Sequence, residues 1–598
     1  MQGVILAAGR ARRMQPISDH VHKALLPIGD STILGRIVTS LVSLGVQRLT
    51  IVTGYRAQDI RDFMEQHHPE LDTRYVHNSR FDRTNNIVSL AMAFDSMAMD
   101  DDIILSECDL LLDPAVLKGL DDPAEPNVAV VDRWRPGMDG TVVTIRDGFV
   151  DAVYPPERQG SDFSYKDTFK TLNIYRFSSA FVRSTLQPML SAYANSVDDN
   201  CYYEVVLGML VGVPRHRIAA HVIGATSWIE VDDPNDLETA RFHFEPSTRS
   251  DILDKSFGGH WNFDILDYSF ISNPHFPPPA LIAMLRHALP ELLPSYGSTQ
   301  AVLNKKMALY LQCDPESVQV LNGASQVFPI LRRLWDGQDV AIPRPTFGEY
   351  PRIWPSAAHY EDRLSVSVPE LAELARRVPR LVVVNPNNPT GTLLETASLY
   401  GVAKDHPETT FLVDESFIGT SAEPSLVSML DAKPLRNVAV LVSLSKVLGI
   451  PGLRLGYLYS RDHTLLAAVG TELPVWNNSS LAEFFLEMLL KFRSALDRSI
   501  ELTRADMAKF VTELASLPHV DDIRSGAGGF VLVTFARDIP VDGPTLRHQL
   551  LEMHRIEIKD VSGRFTDGAV RVRLGVRNAN DNQRFVVALE QVLRGSAR

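Results

Sequence analysis

The chain of 598 residues has only three cysteines, Cys108, Cys201 and Cys313. They are too few and too scattered for a disulfide framework or a thiolate zinc site, and a reducing cytoplasm is the expected setting. No apolar run approaches the ~18–20 residues needed to cross a bilayer. The opening segment, MQGVILAAGRARRM, places its basic residues after a very short apolar stretch, the wrong order and length for a secretory signal. Basic charge is also scarce: 59 Lys and Arg stand against 73 Asp and Glu, with 34 acidic to 24 basic in residues 1–250 and 39 to 35 beyond. A general nucleic-acid or anionic-membrane surface needs the opposite balance. Neither a short internal repeat nor a low-complexity tract occurs. What is present, 45% hydrophobic and 22% charged residues, is the material of a globular protein with more than one core.

Short apolar runs at Gly3–Leu6, Leu49–Val52, Ile103–Leu105 and Val128–Val131 read as buried strands, with segments of helical spacing between them. That alternation predicts βαβ units and a mainly parallel sheet. The pattern breaks into polar, turn-rich sequence after ETARFHF, which reads as a closing helix. The expected division is therefore a first domain over 1–245, a linker over 246–262 and a second α/β domain over 263–598. In the latter, strands are predicted at Val340–Ile342, Leu381–Val384, Thr410–Val413, Val438–Val442 and near Gly528–Thr534.

In the first domain the strand GVIL runs directly into AAGRARRM. Small side chains at Ala7, Ala8 and Gly9 let backbone N–H groups approach a phosphate, and Arg10, Arg12 and Arg13 add positive charge there. Taken alone this is also how a tight strand–helix turn looks. HKALLPIGD then supplies Lys23, IILSECDLL ends a strand with Asp109, and WIEVDDPNDL ends another with Glu230, Asp232 and Asp233. Singly, each acid reads as a solvated turn residue. Carboxylates at two strand ends beside a phosphate cradle are, however, what Mg²⁺ between phosphates requires, since it takes one or two protein carboxylates and fills its octahedron with water and substrate oxygens.

These motifs resemble the sugar-nucleotide and phosphocholine nucleotidyltransferases. TNNIVSLAMA, KTLNIYRFS and YYEVVL look like the branch that transfers CMP to phosphocholine or a phosphonate. The resemblance implies a Rossmann-like nucleotidyltransferase domain in which Ala8, Gly9, Arg10 and Arg13 hold the nucleotide and Lys23 stabilises the α-phosphorus. It further implies that Asp109 and Asp232 bind Mg²⁺, and that Asn85, Asn86 and Lys170 contact nucleotide or acceptor. His22 departs from the family, which usually has proline before the lysine.

In the second domain VSLSKVLGIPGLRLGY ends a strand with Ser443, Ser445 and Lys446, and Arg454 follows eight positions later. LVVVNPNNPTG and FLVDESF end two further strands. An amine, an acid and a cup of hydroxyl, backbone and arginine groups are the parts a pyridoxal-phosphate site needs. Gly323, Ala324 and Ser325 precede a predicted helix whose free N–H groups suit an anion, and Phe347 offers a ring to stack on the pyridine.

This half resembles the fold-type I aminotransferases, and within them the histidinol-phosphate aminotransferase and threonine-phosphate decarboxylase branch. The resemblance implies that Lys446 forms the Schiff base, Asp414 pairs with the ring nitrogen and Asn388 binds the ring oxygen. Ser443, Ser445 and Arg454 would grip the phosphate, Tyr296 of the partner subunit would reach it in a homodimer, Arg573 would bind the substrate carboxylate, and Asn273 would line the substrate pocket. Phe417 stands where aminotransferases often carry tyrosine, which leans to decarboxylation, and FGGHW stands near the place of a relatives' His-Gly-Gly.

The two halves together resemble the bifunctional enzymes of fosmidomycin-type phosphonate antibiotic biosynthesis. The implied reactions are CMP transfer from CTP to 2-amino-4-phosphonobutyrate, then loss of CO₂ to give CMP-3-aminopropylphosphonate. The alternative is a cytidylyltransferase fused to a transaminase. A pyridoxal-binding transcription regulator would need a basic winged helix where residues 1–250 are acidic and α/β.

Overall fold

The computed structural model describes residues 1–120, 125–160, 162–224 and 228–595. They form two compact units, Met1–Phe263 and Asp264–Arg598.

Besides a short hairpin of Pro27–Ile28 with Ser31–Thr32, the strands of the first unit are β1 (Gln2–Ala7), β2 (Arg48–Thr53), β3 (Asp72–His77), β4 (Ile103–Glu107), β5 (Leu110–Leu112), β6 (Val128–Arg133), β7 (Val142–Arg146), β8 (Phe149–Tyr154), β9 (Phe169–Phe177), β10 (Ala219–Val222) and β11 (Trp228–Glu230). Nine of them make one sheet in the order β3-β2-β1-β4-β9-β6-β10-β8-β7. β1 shows why the sheet lies inside: its side chains are buried along the whole strand and alternate between two cores. Ile5 and Ala7 pack with Leu34, Ile37 and Leu41 of α1 (Ile33–Ser43) and with Ile60 and Met64 of α2 (Ala57–His67). Val4, Leu6 and Ala8 pack on the opposite face with Ile87, Leu90 and Phe94 of α3 (Asn86–Ser96). A strand covered on both faces has no polar side to show, hence its continuous apolar run.

The expectation of a mainly parallel sheet holds only for β3-β2-β1-β4 and for β6 with β10. β9 runs antiparallel to β4 and β6, and β7 and β8 form a hairpin. The cause is local: Asp147 and Gly148 both have positive φ, 52° and 82°, the geometry of the two-residue turn that matches strand twist. Asp-Gly between apolar runs was thus a legible hairpin signal.

The small pair β5–β11 lies apart from the large sheet, with Leu110 opposite Glu230 and Leu112 opposite Trp228. Helix α4 (Glu204–Val211) and helix α5 (Pro234–Phe244) follow β9 and β11 in the chain, and α5 is fixed at its start by a capping box between Asp233 and Asp236. The segment 246–262, expected as a linker, carries a helix at Arg249–Ser256 and falls within the first unit.

The second unit contains β12 (Val318–Asn322), β13 (Val340–Arg344), β14 (Ala358–Glu361), β15 (Arg380–Val384), β16 (Thr410–Asp414), β17 (Val438–Ser443) and β18 (Leu455–Ser460), in the order β12-β18-β17-β16-β15-β13-β14. β13 to β17 are mutually parallel, and β18 is antiparallel to both its neighbours. Alternate residues again divide between two cores, Val413 and Val440 on one face, Leu412 and Leu441 on the other. A second sheet of β19 (Val520–Gly526), β20 (Phe530–Phe535), β21 (Lys559–Asp560) and β22 (Arg571–Gly575) runs in the order β19-β20-β22-β21 over a separate core. The helices of the second unit include α6 (Val327–Leu334) and the long α7 (Arg493–Ala515).

Gly148→Val would force a β-branched side chain into the left-handed region. We expect a loss of about 1–2 kcal/mol, seen as a lower midpoint of chemical denaturation of the first unit.

Candidate functional site

Antiparallel pairing of β5 with β11 brings Asp109 and Asp232, one just before the first strand and one just after the second, to the same place; Val231 N donates to Asp109 O at 2.9 Å. Lys23, in a short turn over Lys23–Leu25, donates to both acids, at 2.8 Å to Asp109 Oδ2 and 2.9 Å to Asp232 Oδ1. Arg13 donates to the other oxygen of Asp232 at 2.7 Å. Burial works against the charge on Lys23, but Asp109 and Asp232 outweigh it and raise its pKa. Burial likewise works to raise the pKa of Asp232, and Lys23 and Arg13 reverse this, holding the carboxyl below its ordinary value. Arg10 is exposed, with its guanidinium 5.6 Å from the Tyr55 ring centroid, and Gly9 has open space where a Cβ would stand. Ala8, Gly9, Arg10, Arg13, Lys23 and both acids therefore flank the carboxyl end of β1. Asp109 Oδ1 is buried and has no hydrogen-bond partner. Two strand-end carboxylates with an unused inward oxygen fit a hard divalent cation that keeps most of its ligands as water and phosphate.

Lys170 lies deeper. It is 1% exposed and donates to Thr171 O at 2.7 Å and to Glu230 Oε2 at 3.1 Å. Asn86 turns inward as well, donating to Glu107 Oε1 at 3.0 Å and accepting from Tyr203 N at 2.9 Å. Asn85 caps α3, and its amide reaches Asn200 O at 3.4 Å. Around Lys170 stand three carboxyls, of which sequence reasoning had singled out only Glu230. Burial pushes Glu204 and Glu230 up to about 7, and burial with the Asp109 charge pushes Glu107 well above the ordinary range. Glu204 Oε2 and the Tyr203 hydroxyl are buried without partners. YYEVVL signalled Glu204 only through an apolar helix that begins with an acid, and Glu107 was hidden as the last residue of a strand.

In the second unit Asp414, at the end of β16, accepts from Tyr350 Oη at 2.7 Å and from Ser416 N at 2.9 Å, and burial raises its pKa. Ser416 Oγ in turn accepts from Ser443 N at 3.0 Å. Lys446 follows β17, and burial with the nearby Arg573 and Arg454 charges lowers its pKa to about 8. It lines a cavity with Ser272, Asn273, Ser416, Phe417 and Gly529. Asn388 Oδ1 accepts from Arg573 Nη1 at 3.2 Å, which leaves the Asn388 amide N–H groups for a ring oxygen. The loop bearing Asn388 is held from outside: buried Asp362 accepts from Asn387, Thr390 and Thr392, each at 2.7 Å. Gly391 in this loop, at φ 72°, meets Gly526 of β19 so closely that a Cβ on Gly391 would lie 2.6 Å from the Gly526 Cα.

Arg454 Nη2 donates to Ser325 Oγ at 3.2 Å beside Ala324, and a Cβ on Gly323 would collide with the Arg454 guanidinium. Ser445 Oγ is buried with no hydrogen-bond partner, as is Arg573 Nε. An orphaned hydroxyl, together with an arginine held beside the glycine turn before α6, fits a phosphate, and the buried Asp414 carboxyl fits a protonated pyridine nitrogen. These residues accordingly match pyridoxal phosphate. Phe347 is partly exposed near Tyr350, with the two rings 6.4 Å apart at 79°. Tyr296 is exposed and stacks on Trp476 at 4.2 Å, apart from these groups. Asn273 borders the cavity, yet its amide is committed: it donates to Val447 O at 2.9 Å and Ser499 Oγ at 2.8 Å and accepts from Thr503 Oγ1 at 3.1 Å. Its backbone N–H also donates to Lys446 O at 2.9 Å.

Residues 3–161 match the MobA-like NTP transferase domain, and residues 262–589 match the aminotransferase class I and II family. Histidinol-phosphate aminotransferase from Clostridium acetobutylicum shares the fold of the second unit with a TM-score of 0.51 at 23% identity, covering 55% of this chain and 100% of its own. A decarboxylase from Sulfurospirillum multivorans does so with a TM-score of 0.51 at 23% identity, covering 60% of this chain and 98% of its own. The chain is thus an enzyme of two parts, a nucleotidyltransferase unit followed by a fold-type I pyridoxal-phosphate unit. The L-serine phosphate decarboxylase of Sulfurospirillum multivorans is 25% identical over 55% of this chain and 89% of its own. CMP-5'-(3-aminopropyl)phosphonate synthase of Streptomyces rubellomurinus is 31% identical over 100% of this chain and 95% of its own, and the chain belongs to the family of that synthase.

With the Lys446 pKa lowered to about 8, the neutral amine that attacks an aldehyde is present well below the pH where an ordinary lysine supplies it. The rate at which cofactor-free protein takes up pyridoxal phosphate should therefore rise with pH through about 8 and level off above, followed by absorbance. Gly323→Ala should displace Arg454 and weaken cofactor retention by roughly tenfold or more, about 1.4 kcal/mol, measured by dialysis.

Proposed function

We propose that this enzyme transfers CMP from CTP to 2-amino-4-phosphonobutyrate and then decarboxylates the CMP-linked amino acid to CMP-3-aminopropylphosphonate, as a step of phosphonate antibiotic biosynthesis. The observation that carries this reading is the end-to-end similarity to a synthase named for that product, on a chain that matches an NTP transferase family over residues 3–161 and an aminotransferase family over residues 262–589.

In the first step a phosphonate oxygen forms a bond to the α-phosphorus of CTP, the α–β P–O bond breaks, and pyrophosphate leaves with the electron pair. The N–H groups around Ala8 and Gly9, with Arg10 and Arg13, would bind the triphosphate, and Lys23 would meet the charge that grows on the α-phosphoryl oxygens. Asp109 and Asp232 would hold Mg²⁺, which neutralises phosphate charge. The cluster of Glu107, Glu204 and Glu230 would receive the acceptor's ammonium, with Asn86 held against Glu107 and Asn85 beside it at the start of α3. Lys170 keeps part of that acidity neutralised.

In the second step, pyridoxal phosphate, when bound, supplies the electron sink for the pair left on the α-carbon as CO₂ departs. Asp414, steadied by Tyr350, would keep the pyridine nitrogen protonated. Asn388 would hold the ring oxygen, Phe347 would cover one ring face, and Ser443, Ser445, Arg454 and the turn Gly323–Ser325 would grip the phosphate. Arg573 would orient the substrate carboxylate, and Lys446 Nζ would deliver a proton to the α-carbon. Phe417 in place of tyrosine, and the similarity to L-serine phosphate decarboxylase, support decarboxylation over transamination. Asn273 supports the Lys446 turn at the edge of the substrate pocket. The exposed Tyr296–Trp476 stack supports a homodimer through the second unit, in which Tyr296 of the partner subunit reaches the cofactor phosphate. No helix among the described residues is long and apolar enough to cross a membrane, in keeping with a cytoplasmic enzyme.

Incubation with CTP, Mg²⁺ and 2-amino-4-phosphonobutyrate should release pyrophosphate first and CO₂ second. CO₂ release at equal rate without CTP would overturn the order. Lys446→Ala should abolish CO₂ release and leave CMP transfer within about twofold. Glu204→Gln should raise the acceptor KM by at least ~10-fold, about 1.4 kcal/mol, and leave the CTP KM unchanged.

A further inference from the structure

We propose that Lys23 and the divalent cation compete for the same two carboxylate oxygens, so that the metal site opens when the nucleotide's phosphates draw Lys23 away. The proposal rests on the reading of Asp109 and Asp232 as metal ligands. It concerns what those ligands do before nucleotide arrives.

Lys23 Nζ lies within hydrogen-bond distance of one oxygen of each acid, at 2.8 Å and 2.9 Å. A Mg²⁺ ion bonded to the same two oxygens at about 2.0–2.1 Å would fill the space the ammonium occupies, and two cations cannot share it. The second oxygen of Asp232 is taken by Arg13. Of the four oxygens only Asp109 Oδ1 is without a partner, and it is buried, so a cation that bridges the two acids must take an oxygen that Lys23 or Arg13 holds. Charge counting gives the same result. Lys23 and Arg13 already face Asp109 and Asp232, with Asp139 also on Arg13 at 3.4 Å, so a dication entering between the two acids must displace one positive charge while lying close to the other. In a partly buried site that repulsion is poorly screened.

A nucleoside triphosphate changes the balance. Its phosphates offer Lys23 and Arg13 new partners and bring further oxygen ligands for the metal. Lys23 can respond with its side chain alone. Its turn is held by Leu26 N donating to Lys23 O at 3.1 Å and by Ala24 N donating to His22 Nδ1 at 3.1 Å, and neither bond uses the ammonium. The four-carbon stem can swing while the turn stays. The movement that frees the carboxylates also carries the ammonium to the α-phosphate, so metal loading and delivery of the catalytic cation become one event.

Mn²⁺ binding to the nucleotide-free full-length protein, measured by electron paramagnetic resonance, tests this. We expect weak binding to wild type and to Lys23→Arg, and binding at least about tenfold tighter to Lys23→Met. Equal or weaker binding to Lys23→Met overturns the competition. A companion measurement uses wild type alone: Lys23, shielded between two acids, should react slowly with a lysine-acylating reagent, and saturating Mn²⁺ should speed its labelling several-fold, read by peptide mass spectrometry. Labelling that Mn²⁺ leaves unchanged or slows also overturns the proposal. Asp109→Asn in the Lys23→Met background separates the two readings, for if Mn²⁺ still binds as tightly there, the assignment of Asp109 as a ligand is what fails.

Discussion

A carboxylate taken out of water costs several kcal/mol unless a cation or hydrogen-bond donors meet it, and both units are arranged around that cost. In the first, five acids lie near the ends of β4, β5 and β11 and on α4. Lys23, Arg13 and Lys170 offset the charge of some, and burial leaves others with a raised affinity for protons. In the second, Asp414 is satisfied by a phenol and a backbone N–H, and Asp362 by one amide and two hydroxyls. No lysine or arginine pairs directly with either acid among the described residues. The first unit can therefore exchange one cation for another, whereas the second holds its acids in fixed hydrogen-bond geometry.

This difference suits the two chemistries. Nucleotidyl transfer is governed by charge brought in with the substrate, and a site built of exchangeable ion pairs can take up that charge. Loss of CO₂ into a ring needs the ring to stay in one orientation while a bond breaks, so Asn388 is placed by a loop whose other polar groups are already committed. Among the described residues Lys446 has no direct carboxylate partner. Burial and two arginines keep it more readily neutral than an ordinary lysine.

The chain-local features of both units were legible. AAGRARRM, HKALLP, NPNNPTG and VSLSK each gather several groups of one site within a few residues, so their spacing speaks directly of what they hold. Asp109 and Asp232 were also found, because each ends an apolar run. Glu107, Glu204, Tyr350 and Asp362 escaped because their roles depend on partners from distant elements. Glu107 acquires meaning only when Asn86 and Glu204 are folded against it, and Asp362 only when β14 lies one strand away from the loop of β15. Parallel pairing was over-read because it rested on the apolar runs alone: β8 and β9, whose sequences are broken by Asp151 and by Lys170, Asn173 and Arg176, are not such runs, and the Asp147–Gly148 turn is the local sign that the chain doubles back.

The contact between Gly391 and Gly526 limits how the second unit can be remodelled. The nearest atom to a Cβ added at either position is the other glycine's Cα, so backbone meets backbone there. Any residue larger than glycine at either position acts as a wedge, and the displaced piece is the loop that carries Asn388. Redesign of this unit should vary the cavity wall at Phe417 and Ser272 and leave both glycines untouched, because at those two positions diversity would shift the backbone of the loop before it altered any side chain that lines the cavity.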